Sequence, residues 1–420
     1  MRLKMRLKVQ EFKKDVILGV GRRIASYGKP VILAHDARKS SAWIAKGVSS
    51  GILEAGGTLI DAGLYPTPGV MYEAKVKGFN ALVVTASHNP PEYNGFKALV
   101  DGLPVPREFI RAEDVRVQRD SVGKSVCYKI TEYEKMLLKE AEGLEKERKV
   151  LIDYGHGVAS LVSEAISKRV KHVSLFGVPD GSFPVRYPEP REDTLGIALK
   201  AFKGFDLGFA FDGDGDRCVV IDDQGRYVND HVMLALYASY MAPKGPIITH
   251  VGASIIVNKL VEEEGGKVIR VRVGDPYLAK AAKEHNAAFA GEPNGARIHP
   301  DVHYFPDGPL TLLRILKMLE EIGEPLSKLV DIVPKTVVLR EEVPRKRSYE
   351  ETMECVNSLD VDGIEIVRTD GIRVRVSEEE RFLVRPSATE PVIRVRAEAK
   401  DESRAKELIN IGKELARKCV

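Results

Sequence analysis

Short runs of β-branched and aliphatic residues recur along the chain, separated by stretches whose apolar positions fall at helical spacing. Val31-Ile32-Leu33-Ala34 and Ala81-Leu82-Val83-Val84 predict buried strands, with helices over about 12–27 and 42–56. A second set opens after the charged, helix-forming stretch 133–149, with strands at 150–152, 206–211 and 219–221. A third begins near Pro246-Ile247-Ile248, runs through 268–273 and closes with a helix over about 310–322. From about Thr336 the texture changes: strands at 363–368, 372–376 and 392–399 precede a terminal helix over 402–419. Strands alternating with helices predict α/β units. The fold class expected is therefore α/β, three similar α/β domains with mixed sheets plus a smaller C-terminal α+β domain around a central cleft. The boundaries expected are 1–132, 133–243, 244–335 and 336–420.

Composition narrows the function classes. The 420 residues carry 64 Lys plus Arg against 61 Asp plus Glu, so a net charge of +3 gives no general drive toward nucleic acid or an anionic membrane. Any anion must be held by a local site. No apolar run reaches the roughly 18 residues of a membrane helix, and the basic start leads into more charge. Cys127, Cys218, Cys355 and Cys419 show neither CxxC spacing nor the density of a disulfide scaffold. Reduced thiols and a cytoplasmic location are the expectation. Glutamine occurs only at Gln10, Gln118 and Gln224, a bias expected where heat selects for ion pairs over amides.

Four loops carry candidate chemistry. Thr85-Ala86-Ser87-His88-Asn89-Pro90 follows a buried strand, where α/β sheets present functional groups. Ser87 has a potential proton carrier in His88 and Lys97 nearby in sequence, so it can accept and return a phosphoryl group; the same residues also suit a plain turn. Asp212-Gly213-Asp214-Gly215-Asp216-Arg217 places carboxylates at alternate positions after a strand. Three converging carboxylates repel unless a hard cation such as Mg²⁺ sits among them. An EF-hand is excluded, because Arg217 stands where that loop needs glycine and Asp223 where it needs glutamate. In Gly291-Glu292-Pro293-Asn294-Gly295, Glu292 can accept hydrogen bonds from two neighbouring sugar hydroxyls, although Pro-Asn-Gly alone is a good turn. In Arg385-Pro386-Ser387-Ala388-Thr389-Glu390-Pro391, a guanidinium, two hydroxyls and loop amides suit a phosphate.

In this order the loops resemble those of the α-D-phosphohexomutases, the phosphomannomutases, phosphoglucomutases and phosphoglucosamine mutases. Asp36-Ala37-Arg38, Pro66-Thr67-Pro68, Pro188-Glu189-Pro190 and Val273-Gly274-Asp275 echo the same family. The resemblance implies an enzyme phosphorylated on Ser87, with Ser87, Asp212, Asp214 and Asp216 holding one Mg²⁺. It implies that Arg217 and Arg38 assist electrostatically and that His88 or Lys97 carries the proton. A hexose phosphate would bind through Glu292, Asn294, Gly274 and Asp275 on the sugar and Arg385, Ser387 and Thr389 on the phosphate. Hexose 6-phosphate and hexose 1-phosphate (glucosamine, mannose or glucose) would interconvert through a sugar 1,6-bisphosphate, which also serves as activator. The partner implied is thus a phosphorylated hexose, with no nucleic acid or membrane, in a monomer or homodimer.

The chain departs from the family pattern in four places. The usual opening Gly-Thr-x-Gly-x-Arg-Gly is not found, Asn294 stands for a serine, Ala296-Arg297 for a histidine, and Ala388 for a glycine. Two other readings follow from the residues. A sugar-phosphate-binding protein without catalysis accommodates these departures, and a Mg-dependent phosphatase of the haloacid dehalogenase type would use Asp212 as nucleophile.

Overall fold

The computed structural model describes residues 6–106, 123–387 and 390–420, in four sheets. Two compact units emerge, one comprising residues 1–228 and 294–328, the other 229–293 and 329–420.

In the first unit, strand Val31–His35 lies at the centre of a mixed sheet, parallel to both Thr58–Leu64 and Asn80–Val84. Its first four residues are all buried, as expected of a parallel strand covered on both faces. Strand Tyr93–Val100 returns antiparallel beside Asn80–Val84, with Lys97 opposite Val83. The second sheet sets Leu207–Phe211 between Val150–Asp153, parallel, and Cys218–Ile221, antiparallel. Asp212 to Arg217 form the tight turn of that antiparallel pair. Helix Gly308–Ile322 begins with Asp307 accepting the Leu310 amide at 2.9 Å, and the Gly308 amide bonds the Gly215 carbonyl at 3.1 Å. Its capped N-terminus therefore buttresses the acidic turn.

The sequence over-extends one element here. Helix Glu132–Glu140 stops well short of residue 149, because charged helix formers continue while the backbone turns through Gly143 at φ +82°. Strands Tyr93–Val100, Lys124–Cys127 and His172–Leu175 are additions that the apolar-run pattern does not contain.

In the second unit, Ile247–His250 is parallel to Val268–Val271 and Phe289–Gly291. The last sheet is a five-stranded antiparallel ladder, in which Val337–Pro344 and Arg381–Pro386 flank Val392–Ala399. Val356, Val384, Val395, Leu408 and Ala416 are fully or almost fully buried in its core with helices Tyr349–Ser358 and Glu402–Arg417. Each of these valine and leucine side chains contributes roughly 1.5–3 kcal/mol on burial.

One chemical expectation is overturned in this unit: Cys355 and Cys419 form a disulfide, with Cα atoms 5.7 Å apart. The spacing gave no sign of it, since packing of the two helices brings together residues 64 positions apart. Cys127 and Cys218 are outside any disulfide. Among the described residues, no helix is long and apolar enough to cross a membrane.

Candidate active site

The adjacent parallel strands Val31–His35 and Asn80–Val84 end side by side, which places residues 36–38 against the serine loop. Asp36 is fully buried and organises this corner. Its carboxylate accepts from Ser41 Oγ at 2.5 Å and from Thr85 Oγ1 at 2.7 Å, and the Thr85 hydroxyl accepts the Ser87 amide at 2.8 Å. Arg38 Nε donates to Asp36 at 3.0 Å. Its Nη1 donates to the carbonyls of Pro90 and Tyr93 at 2.6 and 3.2 Å, and its Nη2 to those of Ser87 and Asn89 at 2.7 and 2.6 Å. A guanidinium has five N–H donors, and these bonds use all of them. Arg38 therefore shapes the serine loop through its own hydrogen bonds.

That loop holds Ser87 at φ +53°, a left-handed conformation that costs a non-glycine residue about 1–2 kcal/mol. The constraint aims Oγ at the acidic turn: Ser87 Oγ donates to Asp212 Oδ2 at 2.6 Å. His88 Nδ1 lies 3.4 Å from the same oxygen. Close approach of the two loops depends on Gly213, where a Cβ would lie 2.8 Å from the Ser87 carbonyl oxygen.

Asp212, Asp214 and Asp216 are all buried, with one carboxylate oxygen from each within 4.8 Å of the others. Burial, then the charges of Asp214 and Asp216, push the Asp212 carboxyl well above the usual carboxylate range. Burial would raise Asp214 as well, but the charge and hydrogen bond of Lys97 and the Thr67 hydroxyl hold it below its ordinary value. Lys97 Nζ reaches Asp214 Oδ2 at 2.7 Å and also bonds Asp216, and Thr67 Oγ1 donates to Asp214 at 2.7 Å. Lys97 thus projects a compact cation from a strand into the carboxylates. Asp214 Oδ1 is buried without a hydrogen-bond partner. An orphaned carboxylate oxygen among three converging acids fits a hard divalent cation, which takes oxygen ligands. Arg217 donates its amide to Asp212 Oδ1 at 3.2 Å, while its guanidinium lies 3.6 Å from Glu189.

The second unit carries the polar groups expected for a sugar phosphate. Glu292, buried at the end of strand Phe289–Gly291, accepts the Gly274 amide at 2.9 Å. Asp275 opens helix Asp275–Glu284 immediately after Gly274. Arg385 lies on strand Arg381–Pro386, and its Nε forms an ion pair with Asp370 at 2.8 Å. Ser387 Oγ accepts the Glu390 amide at 3.2 Å. Thr389 and Ala388 lie outside the described residues. Asn294 belongs to the first unit, where its side-chain oxygen accepts the Ala296 amide at 3.1 Å.

The structure brings Ser87, His88, Lys97, Asp212, Asp214 and Asp216 into one cluster. Sequence reasoning gave no roles to Asp36, Thr67, Thr85 and Asp370. Pro66-Thr67-Pro68 and Asp36-Ala37-Arg38 stood out as motifs, but nothing local showed which acids or carbonyls they meet.

The chain is similar to known proteins over nearly its whole length. The profiles for the phosphoglucomutase/phosphomannomutase alpha/beta/alpha domains I, II and III match residues 3–117, 131–225 and 229–336, and the C-terminal domain profile matches 338–410. A phosphoglucosamine mutase of Methanocaldococcus jannaschii is 34% identical over 447 residues, covering 99% of this chain and 97% of its own. A probable phosphoglucosamine mutase of Methanopyrus kandleri is 33% identical over 449 residues, with 99% and 97% covered. The crystal structure of a phosphoglucomutase/phosphomannomutase family protein from Burkholderia thailandensis superposes with a TM-score of 0.84 at 28% identity, covering 98% of this chain and 96% of that one.

Proposed function

Because the chain belongs to the phosphoglucomutase/phosphomannomutase family of phosphosugar mutases, we propose that it interconverts hexose 6-phosphate and hexose 1-phosphate through phosphorylated Ser87 and a sugar 1,6-bisphosphate. The names of its relatives favour glucosamine phosphate as the sugar. The observation that carries the reading is the 2.6 Å bond from Ser87 Oγ to Asp212 within a buried group of three carboxylates.

Asp212, Asp214 and Asp216 with Ser87 Oγ would hold Mg²⁺, which when bound offsets negative charge on the phosphoryl group. Arg38 and Asp36 fix the serine loop so that Oγ needs no reorganisation before transfer. Asp212 orients the hydroxyl of unphosphorylated Ser87, and His88, 3.4 Å from Oγ, is the group able to hold its proton. Glu292 orients the sugar through its hydroxyls. Arg385 with Ser387 and Thr389 takes the phosphate that does not react. After the first transfer the bisphosphate turns end for end and returns its other phosphoryl group to Ser87.

The test is the mass of the Ser87 peptide before and after incubation with Mg²⁺ and, in turn, the 1- and 6-phosphates of glucosamine, mannose and glucose. A phosphate on Ser87 that exchanges with one sugar is expected. Its absence even after treatment with glucose 1,6-bisphosphate would overturn the reading.

A further inference from the structure

Arg385 has a buried acidic partner that the phosphate loop itself does not supply. Asp370 is 2% exposed and lies just before strand Ile372–Arg375, which pairs with the strand bearing Arg385. Its Oδ2 sits 2.8 Å from Arg385 Nε. Gly371 makes that proximity possible: it has φ +82°, and a Cβ there would stand 2.3 Å from the Val384 carbonyl oxygen and 2.9 Å from Arg385 Cα. Asp370 also reaches outside its own sheet, accepting the Val273 amide at 3.4 Å. The next amide along, Gly274, donates to Glu292 at 2.9 Å. Two consecutive amides of one turn are therefore bound to two carboxylates, one beside the candidate phosphate clamp and one in the candidate sugar loop.

A carboxylate beside an anion site weakens anion binding by simple charge repulsion, so its presence calls for a compensating role. Arginine is a rotamer-rich side chain, and its planar fork recognises phosphate only when aimed. The contact is an ion pair without hydrogen-bond geometry at Nε, so Asp370 restrains the guanidinium by charge at short range.

We propose that Asp370 is a positioning residue for substrate binding: it orients Arg385 and sets the distance between the phosphate clamp and Glu292 through the turn at Val273 and Gly274. This builds on the reading of Arg385 as the phosphate-binding residue. The turn acts as a ruler, so one hexose phosphate is gripped at both its phosphate and its hydroxyls.

A double-mutant cycle tests it. The dissociation constant of glucosamine 6-phosphate is measured by calorimetry for the native chain, Asp370→Asn, Arg385→Ala and the double variant, with KM and kcat beside it. Asp370→Asn keeps an acceptor for Val273 but removes the charge facing Arg385. It is expected to raise both the dissociation constant and KM about tenfold while kcat changes by less than about threefold. In the Arg385→Ala background the same change is expected to have less than about a twofold effect. Asp370→Glu, which keeps the charge, should return affinity to within about threefold of native. An equal effect of Asp370→Asn in both backgrounds, or tighter binding in Asp370→Asn, would overturn the positioning role. Unchanged affinity in Arg385→Ala would instead overturn Arg385 as the phosphate clamp, a distinct result.

Discussion

Ser87 Oγ and Asp212 Oδ2, 125 residues apart in sequence, are joined by a 2.6 Å hydrogen bond between two loops that glycine allows to touch. The acceptor is a carboxyl that burial and two like charges drive toward its neutral form. Asp212 is therefore held at an energetic cost that folding alone does not require.

Replacing Asp212 with Asn should reveal that cost. The variant relieves repulsion while keeping an acceptor for Ser87, so without divalent metal its Tm should equal or exceed that of the native chain. Mutase activity should fall by about 10²–10³-fold or more, as for loss of a group that stabilises developing charge. Saturating Mg²⁺ should raise the Tm of the native chain and not that of Asp212→Asn. Calorimetric scans with Mg²⁺ or with chelator give both numbers, and a lower Tm for the variant in chelator would refute the account.

Arg38 gives a second prediction. Arg38→Lys retains a charge beside Asp36 but cannot reach four separate carbonyls. It should destabilise the first unit by about 3 kcal/mol and lower kcat, because the serine loop loses its template. Urea unfolding monitored with steady-state kinetics checks both, and a loss of activity with native stability would place Arg38 on the phosphoryl group after all.

Acid sensitivity is predicted for the second unit. Burial first, and then the charges of Arg270, Arg385 and Arg396, lower the pKa of His250 to about 3, and its Nδ1 accepts the Gly252 amide at 2.9 Å. The unfolded chain takes up this proton near pH 6.5 and the folded chain does not. Stability thus falls as pH drops from about 6.5 toward 3, by up to about 1.4 kcal/mol per pH unit. Glu398 adds to the trend at lower pH. Burial would raise its pKa, but Arg381, Ser254 and Arg396 lower it from 4.5 to about 2, so its contribution is full above 4.5 and is lost as pH falls through about 2. Between pH 7 and 4 the Tm of His250→Gln should decline less steeply than that of the native chain. Parallel declines would show that His250 is not the group responsible.

Reduction of the disulfide supplies a fourth test. Closing a loop across 64 residues contributes up to about 4 kcal/mol by restricting the unfolded chain. Dithiothreitol and the Cys355→Ser substitution should each lower the Tm of the second unit, and the reductant should have no further effect on the variant.

Much of this molecule was legible in its sequence because its chemistry is concentrated in short loops after apolar strands. Ser87 and the three aspartates were marked by the turn formers around them. What escaped were relationships at long range. Arg38 meets carbonyls 49 to 55 residues away, and no local pattern distinguishes an arginine that serves peptide groups from one that serves a phosphate. Lys97 stood out only as near the serine loop in sequence, and it lies on a strand paired with the one preceding Ser87. Asp370 lies in an ordinary Asp-Gly turn, and its meaning comes only from the side chain across the sheet. Cys355 and Cys419 likewise became partners through helix packing.

That last pairing also alters the topology of the covalent chain. Strands Glu365–Val367, Ile372–Arg375, Arg381–Pro386 and Val392–Ala399 and helix Glu402–Arg417 all lie between the two joined cysteines. They form a closed ring, so a protease that cuts once inside it opens a loop without releasing a fragment. A nick at residues 376–380 would leave strand Ile372–Arg375 and helix Glu402–Arg417 tethered on either side of the break, free to re-pair. Loss of the C-terminal segment would take two events, cleavage and reduction.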